Sequence, residues 1–210
     1  MRLLLTAFFI LSILPTYSQE WNEIKRLQSA NPEIDGQFGF SVDINGRHAI
    51  VGANGSTDNS AYIFYRNDNG NFNLESTLKS TNAKPGDQFG SSVSMGKNIA
   101  VVGAMWSDIT KDGETQKDAG AVYVFEKRGS EWIEAGTLQA SDPNESDQFG
   151  ISVSISNNQI AIGSIWNDYN EEGKKRRADA GAVYIFEKNQ EKWVQKQKLV
   201  CEDRKPYDLF

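Results

Sequence analysis

Cysteine and histidine are nearly missing from this 210-residue chain, which has one of each, Cys201 and His48. A single cysteine excludes an intramolecular disulfide framework and any multi-cysteine zinc or iron–sulfur site. A single histidine excludes metal sites built on a histidine pair and leaves His48 as the sole imidazole base. Positive charge is also short. With 22 Lys+Arg against 28 Asp+Glu the formal charge is −6, which argues against a protein devoted to nucleic-acid phosphates. Neither a Gly-x-Ser-x-Gly elbow nor a His-Glu-x-x-His helix is present. The chain still has what a packed core requires, with 39% hydrophobic residues, 11% aromatics and 18 glycines.

The one long apolar run lies at the start. Met1 and Arg2 precede Leu3–Leu14, broken only by Thr6 and Ser12; Pro15 ends the run, and Thr16-Tyr17-Ser18 supplies small residues before Gln19. That order is the layout of a secretory signal peptide, and it predicts cleavage near Ser18-Gln19 and a secreted or cell-surface protein. A run of about twelve residues is shorter than the ~20 of a spanning helix, so no membrane span is expected after cleavage. Loss of residues 1–18 removes Arg2 and moves the formal charge to −7.

The rest of the chain repeats itself. Three segments align: Asp35-Gly36-Gln37-Phe38-Gly39-Phe40-Ser41-Val42, Asp87-Gln88-Phe89-Gly90-Ser91-Ser92-Val93 and Asp147-Gln148-Phe149-Gly150-Ile151-Ser152-Val153. Each is followed by an apolar run into glycine, at Gly52, Gly103 and Gly163. Then come Ala61-Tyr62-Ile63-Phe64, Ala121-Val122-Tyr123-Val124-Phe125 and Ala182-Val183-Tyr184-Ile185-Phe186. An aromatic with a leucine six residues on closes each unit, as Phe72/Leu78, Trp132/Leu138 and Trp193/Leu199, with Trp21/Leu27 as a fourth copy near the start. Val42 to Gly52, Val93 to Gly103 and Val153 to Gly163 are all ten residues; Trp21 to Phe38, Phe72 to Phe89 and Trp132 to Phe149 are all seventeen. The variation lies almost wholly in one loop, since Gly52 to Tyr62 is ten residues, Gly103 to Tyr123 twenty and Gly163 to Tyr184 twenty-one.

Each unit reads as four short strands, rich in β-branched and aromatic residues and bounded by turns such as Asn45-Gly46, Asn69-Gly70 and Asn157-Asn158. Trp132 and Leu138 are an even number of residues apart, which predicts one shared face of the fourth strand. Four short antiparallel strands per repeat predict an all-β fold, a β-propeller of four-stranded blades, in preference to a parallel β-solenoid.

Phe-Gly followed by Val-Gly-Ala resembles the FG-GAP repeat of the integrin α-subunit propeller and its secreted bacterial relatives. The likeness covers residues 21–210, and Gly-Ala-Val-Tyr-Val-Phe-Glu-Lys at 120–127 and Gly-Ala-Val-Tyr-Ile-Phe-Glu-Lys at 181–188 are nearer the bacterial form. The repeat motif residues are Phe38, Gly39, Phe89, Gly90, Phe149 and Gly150, with Gly52, Gly103 and Gly163. The proline of Gly-Ala-Pro is replaced by Asn54, Met105 and Ile165. The expected organisation is a signal peptide (1–18), an N-terminal strand that would close the last blade (19–34), blades at 35–80, 81–140 and 141–201, and the start of a fourth repeat (202–210). Three blades make an incomplete ring, so the reading expects the N-terminal part of a longer propeller or a truncated product.

The resemblance implies a calcium loop between the first two strands of a blade, and a ligand face built from the long loops 105–119 and 165–180. At the calcium position the turns Asp43-Ile44-Asn45-Gly46-Arg47, Met95-Gly96-Lys97-Asn98 and Ser156-Asn157-Asn158-Gln159 have too few carboxylates for a cation that takes six to eight oxygens. Acid sits instead in the long loops, with Asp108, Asp112 and Asp118 in one and Asp168, Glu171, Glu172 and Asp179 in the other. Those loops read as solvated acidic segments, with calcium on Asp108, Asp112 and Asp118 as the alternative; no other cofactor is implied. Trp106 and Trp166 hold the same place in both loops, each two residues before an aspartate, Asp108 and Asp168. They are candidates for the ligand face, or else caps over the blade contact. Lys174-Lys175-Arg176-Arg177 reads as a loop tip, with an anionic glycan as the second reading; Asn54-Gly55-Ser56 and Asn144-Glu145-Ser146 are glycosylation sequons. His48 aligns with Ile99 and Ile160, and Cys201 with Ala140, Ser80 and Ser29, so both read as packing positions.

Two functions remain open. One is a binding scaffold for an extracellular protein or glycan, with no catalytic constellation. The other is a propeller-based hydrolase or lyase acting on extracellular polysaccharide through carboxylates of different loops.

Overall fold

A computed structural model of the protein describes residues 23, 25–29, 35–55, 60–169, 179–203 and 205–208. The signal segment, the basic run 174–177 and Trp21 lie outside them. The described residues contain no helix. They form three four-stranded antiparallel sheets, the blades of an incomplete β-propeller. Blade 1 is β1 (Phe38–Asn45), β2 (His48–Ala53), β3 (Ser60–Arg66) and β4 (Phe72–Lys79). Blade 2 is β5 (Phe89–Met95), β6 (Ile99–Ala104), β9 (Ala121–Arg128) and β10 (Glu131–Leu138), with a small hairpin, β7 (Ile109–Lys111) and β8 (Glu114–Gln116), inserted in its long loop. Blade 3 is β11 (Ser152–Ser156), β12 (Gln159–Ser164), β13 (Ala182–Asn189) and β14 (Lys192–Leu199).

The repeated aromatics form one packing unit in every blade. Phe38, Phe89 and Phe149 each meet the blade's tyrosine (Tyr62, Tyr123, Tyr184) with ring centroids 5.3–5.4 Å apart. The same phenylalanines meet Phe64, Phe125 and Phe186 edge-on at 6.0–6.2 Å, an arrangement that pairs ring edges with ring faces. The wide apolar faces then stack blade on blade. Ile50, Ile63 and Leu78 of blade 1 bury against Phe89, Val93, Met95 and Val102 of blade 2. Val101, Val122, Val124 and Leu138 of blade 2 bury against Phe149, Ile160, Ile162 and Tyr184 of blade 3.

One expectation fails. Trp132 and Leu138 do not share a face, because the register of β10 on β9 slips between Glu134 and Gly136 and leaves Ala135 as an extra residue. A bulge of one residue reverses the alternation beyond it. Trp132 therefore packs toward blade 1 and Leu138 toward blade 3. The same slip recurs at Glu75 in β4 and Lys196 in β14. The aromatic and the leucine thus serve two different blade contacts.

The motif glycines are the joints between blades. Gly39, Gly90 and Gly150 have φ of +95°, +94° and +94°, a region open to glycine at little cost. The Ser41 hydroxyl donates to the Gly90 carbonyl (2.8 Å) and the Ser92 hydroxyl to the Gly150 carbonyl (2.6 Å). Each carbonyl lies so close to the preceding blade that a β-carbon on Gly52 or Gly103 would stand 2.1 or 2.2 Å from it. Further bonds tie the first strands together: Asp43 Oδ2 accepts from Ser94 Oγ (2.9 Å) and Met95 N (2.8 Å), and Ser94 Oγ accepts from Ile155 N (3.2 Å). Asp43, the carboxylate of the first short turn, is therefore engaged in blade packing.

The outward face of blade 1 is covered only in part. Leu27 packs on Val51, Tyr62 and Phe64, as Leu78 and Leu138 pack on the next two blades. Lys25 Nζ donates to Phe72 O (2.7 Å) and Ser29 Oγ to the Tyr62 hydroxyl (3.0 Å). Val42 and Ile44 on the same face are 68% and 62% exposed, whereas their counterparts Val93 and Met95 are buried.

Candidate ligand-binding face

Loop 105–119 is built, not slack. Asp112 and Gly113 make the tip of the β7–β8 hairpin, both at positive φ (53° and 85°), the chemistry of a tight Asp-Gly hairpin. At its base Asp108 Oδ1 accepts from Asp118 N (3.1 Å). Asp168 Oδ1 does the same for Asp179 N (2.8 Å) in blade 3. The loop also crosses onto the next blade. Lys117 O and Asp118 O accept from Ser146 N (2.8 Å) and Gln148 N (3.2 Å), Ala119 O from Phe149 N (2.9 Å), and Lys111 Nζ donates to Ser141 O (2.8 Å).

On this base the two tryptophans part company. Trp166 is half-buried, and its indole N–H donates to Gln148 Oε1 at 3.0 Å. Trp106 is 41% exposed, and the equivalent Gln88 Oε1, though buried, has no hydrogen-bond partner. Trp166 is a pinned side chain and Trp106 a presented one. Asp108 and Asp118 meet through the loop base, while Asp112 sits apart at the exposed hairpin tip. No group of three or more His, Cys, Asp or Glu positioned to hold a metal ion occurs among the described residues.

At the base of loop 105–119, between Ser146 and Gln148, lies a buried carboxylate of the repeat that is not among the predicted site residues. Asp147 is 2% exposed, and its Oδ2 accepts from Asn144 N (3.0 Å) and Asn167 Nδ2 (2.9 Å). Beside it the Tyr184 hydroxyl donates to Asp142 Oδ1 (2.8 Å) and Lys198 Nζ to Asp142 Oδ2 (2.7 Å). Burial lifts the Asp147 carboxyl to about 6, against the donated hydrogen bonds and Lys198, which pull the other way; burial also pushes the Tyr184 phenol well up. The recurrence of aspartate just before Gln-Phe-Gly was the available signal. A carboxyl whose folded value exceeds its unfolded one adds stability that is complete below pH 3.8 and lost as pH rises through about 6. The Asp147→Asn protein is therefore expected to lose this component, worth up to about 3 kcal/mol between pH 7 and pH 4. Melting curves of both proteins across that range check it.

His48 lies in the contact of blades 1 and 2. Its Nε2 is 3.1 Å from Glu75 Oε2, and Glu75 also receives Lys127 Nζ (2.6 Å) and the Trp132 indole N–H (3.0 Å). Burial, with Lys127 alongside, lowers the imidazole below its usual range despite Glu75. Cys201 is half-buried and donates to Asp203 Oδ1 (2.8 Å). The Asn144 side chain is held by Asp142 O (3.0 Å), and Asn54 is buried, so neither sequon asparagine stands free on the surface.

The repeat-family comparison matches FG-GAP repeats at residues 21–64, 72–125 and 132–186. The chain belongs to the FG-GAP repeat family. The second and third matches begin on the aromatic of a fourth strand, Phe72 of β4 and Trp132 of β10, and all three end on the phenylalanine of a third, Phe64, Phe125 or Phe186, so the FG-GAP unit is displaced from the blade by one strand and spans the blade contact. FG-GAP repeats are typical of extracellular or surface proteins. Among the described residues no helix is long and apolar enough to cross a membrane. The comparison with curated proteins finds no match.

Proposed function

We propose that this FG-GAP protein is a secreted or cell-surface binding scaffold whose ligand face is formed by loops 105–119 and 165–180. The observation that carries the reading is Trp106. A large aromatic is 41% exposed on a loop that is closed by Asp108 and fastened to the neighbouring blade. Exposed tryptophan on a rigid base is the usual anchor of an interface, because it buries a large area at little cost in side-chain freedom. His48 supports binding over catalysis, since the sole imidazole is packed between Glu75, Lys127 and Trp132 within a blade contact. The partner class is an extracellular protein or a glycan.

Trp106→Ala tests the reading. The variant is expected to keep its melting temperature within a degree or two, as exposed substitutions cost within about 0.5 kcal/mol. It should also lose at least about tenfold in affinity for any partner found on an array of extracellular proteins and glycans. A marked loss of stability with binding intact would make Trp106 a packing residue.

A further inference from the structure

The three blades repeat one another closely enough for a difference between equivalent places to carry information. In blade 3 the residue before the fourth-strand leucine is Lys198. Although it is a lysine it is 6% exposed, its ammonium bonded to Asp142 Oδ2 at 2.7 Å and 5.3 Å above the Tyr184 ring centroid. A buried ammonium persists only where a carboxylate and a ring face replace its water. In blade 2 the equivalent residues are Thr137 for Lys198, Asn82 for Asp142, Ser107 for Asn167 and Tyr123 for Tyr184. There, with Thr137 and Ser107 shorter than their counterparts, these residues line a pocket of about 200 Å³, bordered also by Asp87 and Asp108. Asp87 is 9% exposed, and its Oδ2 accepts from Ser107 Oγ (3.0 Å) and Lys84 N (3.0 Å). The volume is below the ~300–1,000 Å³ of sites for drug-sized molecules and suits a single side chain.

We propose that the pocket of Asn82, Asp87, Ser107, Asp108, Tyr123 and Thr137 binds a primary alkylammonium group, taking from outside the place that Lys198 fills from within in blade 3. The ligand enters past Thr137, its methylenes along the Tyr123 ring and its charge toward Asp87 and Asp108. Among the described residues, Lys84 is the one cationic residue on the lining. Trp106 is not part of the lining, so this inference and the Trp106 reading stand or fall separately.

The test is a titration of the full chain followed by amide chemical shifts. Three probes are used: n-butylammonium, a lysine tripeptide blocked at both ends, and the same peptide acetylated on the lysine nitrogen. Shifts are expected around Ser107, Tyr123 and Thr137 with the first two probes. The acetylated peptide is expected to bind about tenfold more weakly, because acetylation removes the charge that faces Asp87 and Asp108. Butylammonium alone binding marks a free amine as the ligand; tighter binding of the tripeptide marks a lysine presented by a polypeptide. Thr137→Lys fills the pocket as Lys198 does and is expected to abolish the shifts, while Asn82→Asp restores the carboxylate of blade 3 and is expected to tighten binding several-fold. Absence of shifts, equal response to the acetylated peptide, or Asn82→Asp without gain overturns the proposal; the last holds even should Thr137→Lys fail to fold.

Discussion

Gly103→Ala is expected to destabilise the protein by about 3 kcal/mol, the upper range for forced overpacking, whereas Gly163→Ala is expected to cost less than half as much. The new β-carbon at Gly103 would stand 2.2 Å from the Gly150 carbonyl oxygen. That oxygen belongs to backbone which also accepts the Ser92 hydroxyl, so relief requires blades 2 and 3 to separate. At Gly163 the nearest atom is the Ser152 hydroxyl at 2.3 Å, followed only by side-chain carbons at 3.6 Å and beyond. A serine side chain rotates, and the clash is relieved within one blade. Denaturant unfolding of the two variants side by side measures the difference. Equal losses would mean that the glycines serve the strand in which they lie and not the joint.

The second large effect is at the motif phenylalanine. Phe149 is fully buried and edge-on to both Tyr184 and Phe186, so Phe149→Ala should cost 3–5 kcal/mol, roughly the range for deleting a core aromatic. Phe89→Ala should cost the same, because Phe89 is equally buried and equally placed on Tyr123 and Phe125. Phe38→Ala is expected to cost appreciably less, since Phe38 is only half-buried despite the same ring contacts. Thermal unfolding of the three variants ranks them. The order follows from how completely each ring is enclosed, since a ring already in touch with water gives up less on removal.

Much of this architecture can be read along the chain because it is local. Strand type, turn position and the recurrence of Phe-Gly, Gly-Ala and Tyr-x-Phe all depend on residues close in sequence, and the twelve blade strands fall where those patterns lie. The faces of the fourth strand are different. Ala135 reads as an ordinary strand residue, and only its pairing against Phe125 and Val124 shows the bulge that sends Trp132 and Leu138 to opposite sides. The hairpin at Asp112-Gly113 carried a legible turn signal, Asp-Gly between short polar segments, which the length of the loop obscured. The joints were not legible, because Ser92 and Gly150 are fifty-eight residues apart and nothing in either segment names its partner. The same holds for Asp147, whose carboxylate is held by Asn167, twenty residues further on.

The reading of the two tryptophans rests on that same distinction between local pattern and long-range contact. In sequence Trp106 and Trp166 are equivalent. In the fold Gln148 holds Trp166, while Gln88 leaves Trp106 turned outward. What turns an exposed side chain into an anchor is the rigidity of the loop beneath it. That rigidity depends on the bonds from Lys117, Asp118 and Ala119 to residues 146–149 of the next blade.

Amide hydrogen exchange tests this point most directly. If loop 105–119 is a fixed part of the blade contact, the amides of Asp118, Gln148 and Phe149, all hydrogen-bonded across the loop base, exchange slowly, with protection comparable to that of strands β6 and β9. Exchange of these amides at the rate of an unstructured peptide, while the flanking strands stay protected, would contradict the account, because Trp106 would then ride on a loose loop with no preformed ligand face.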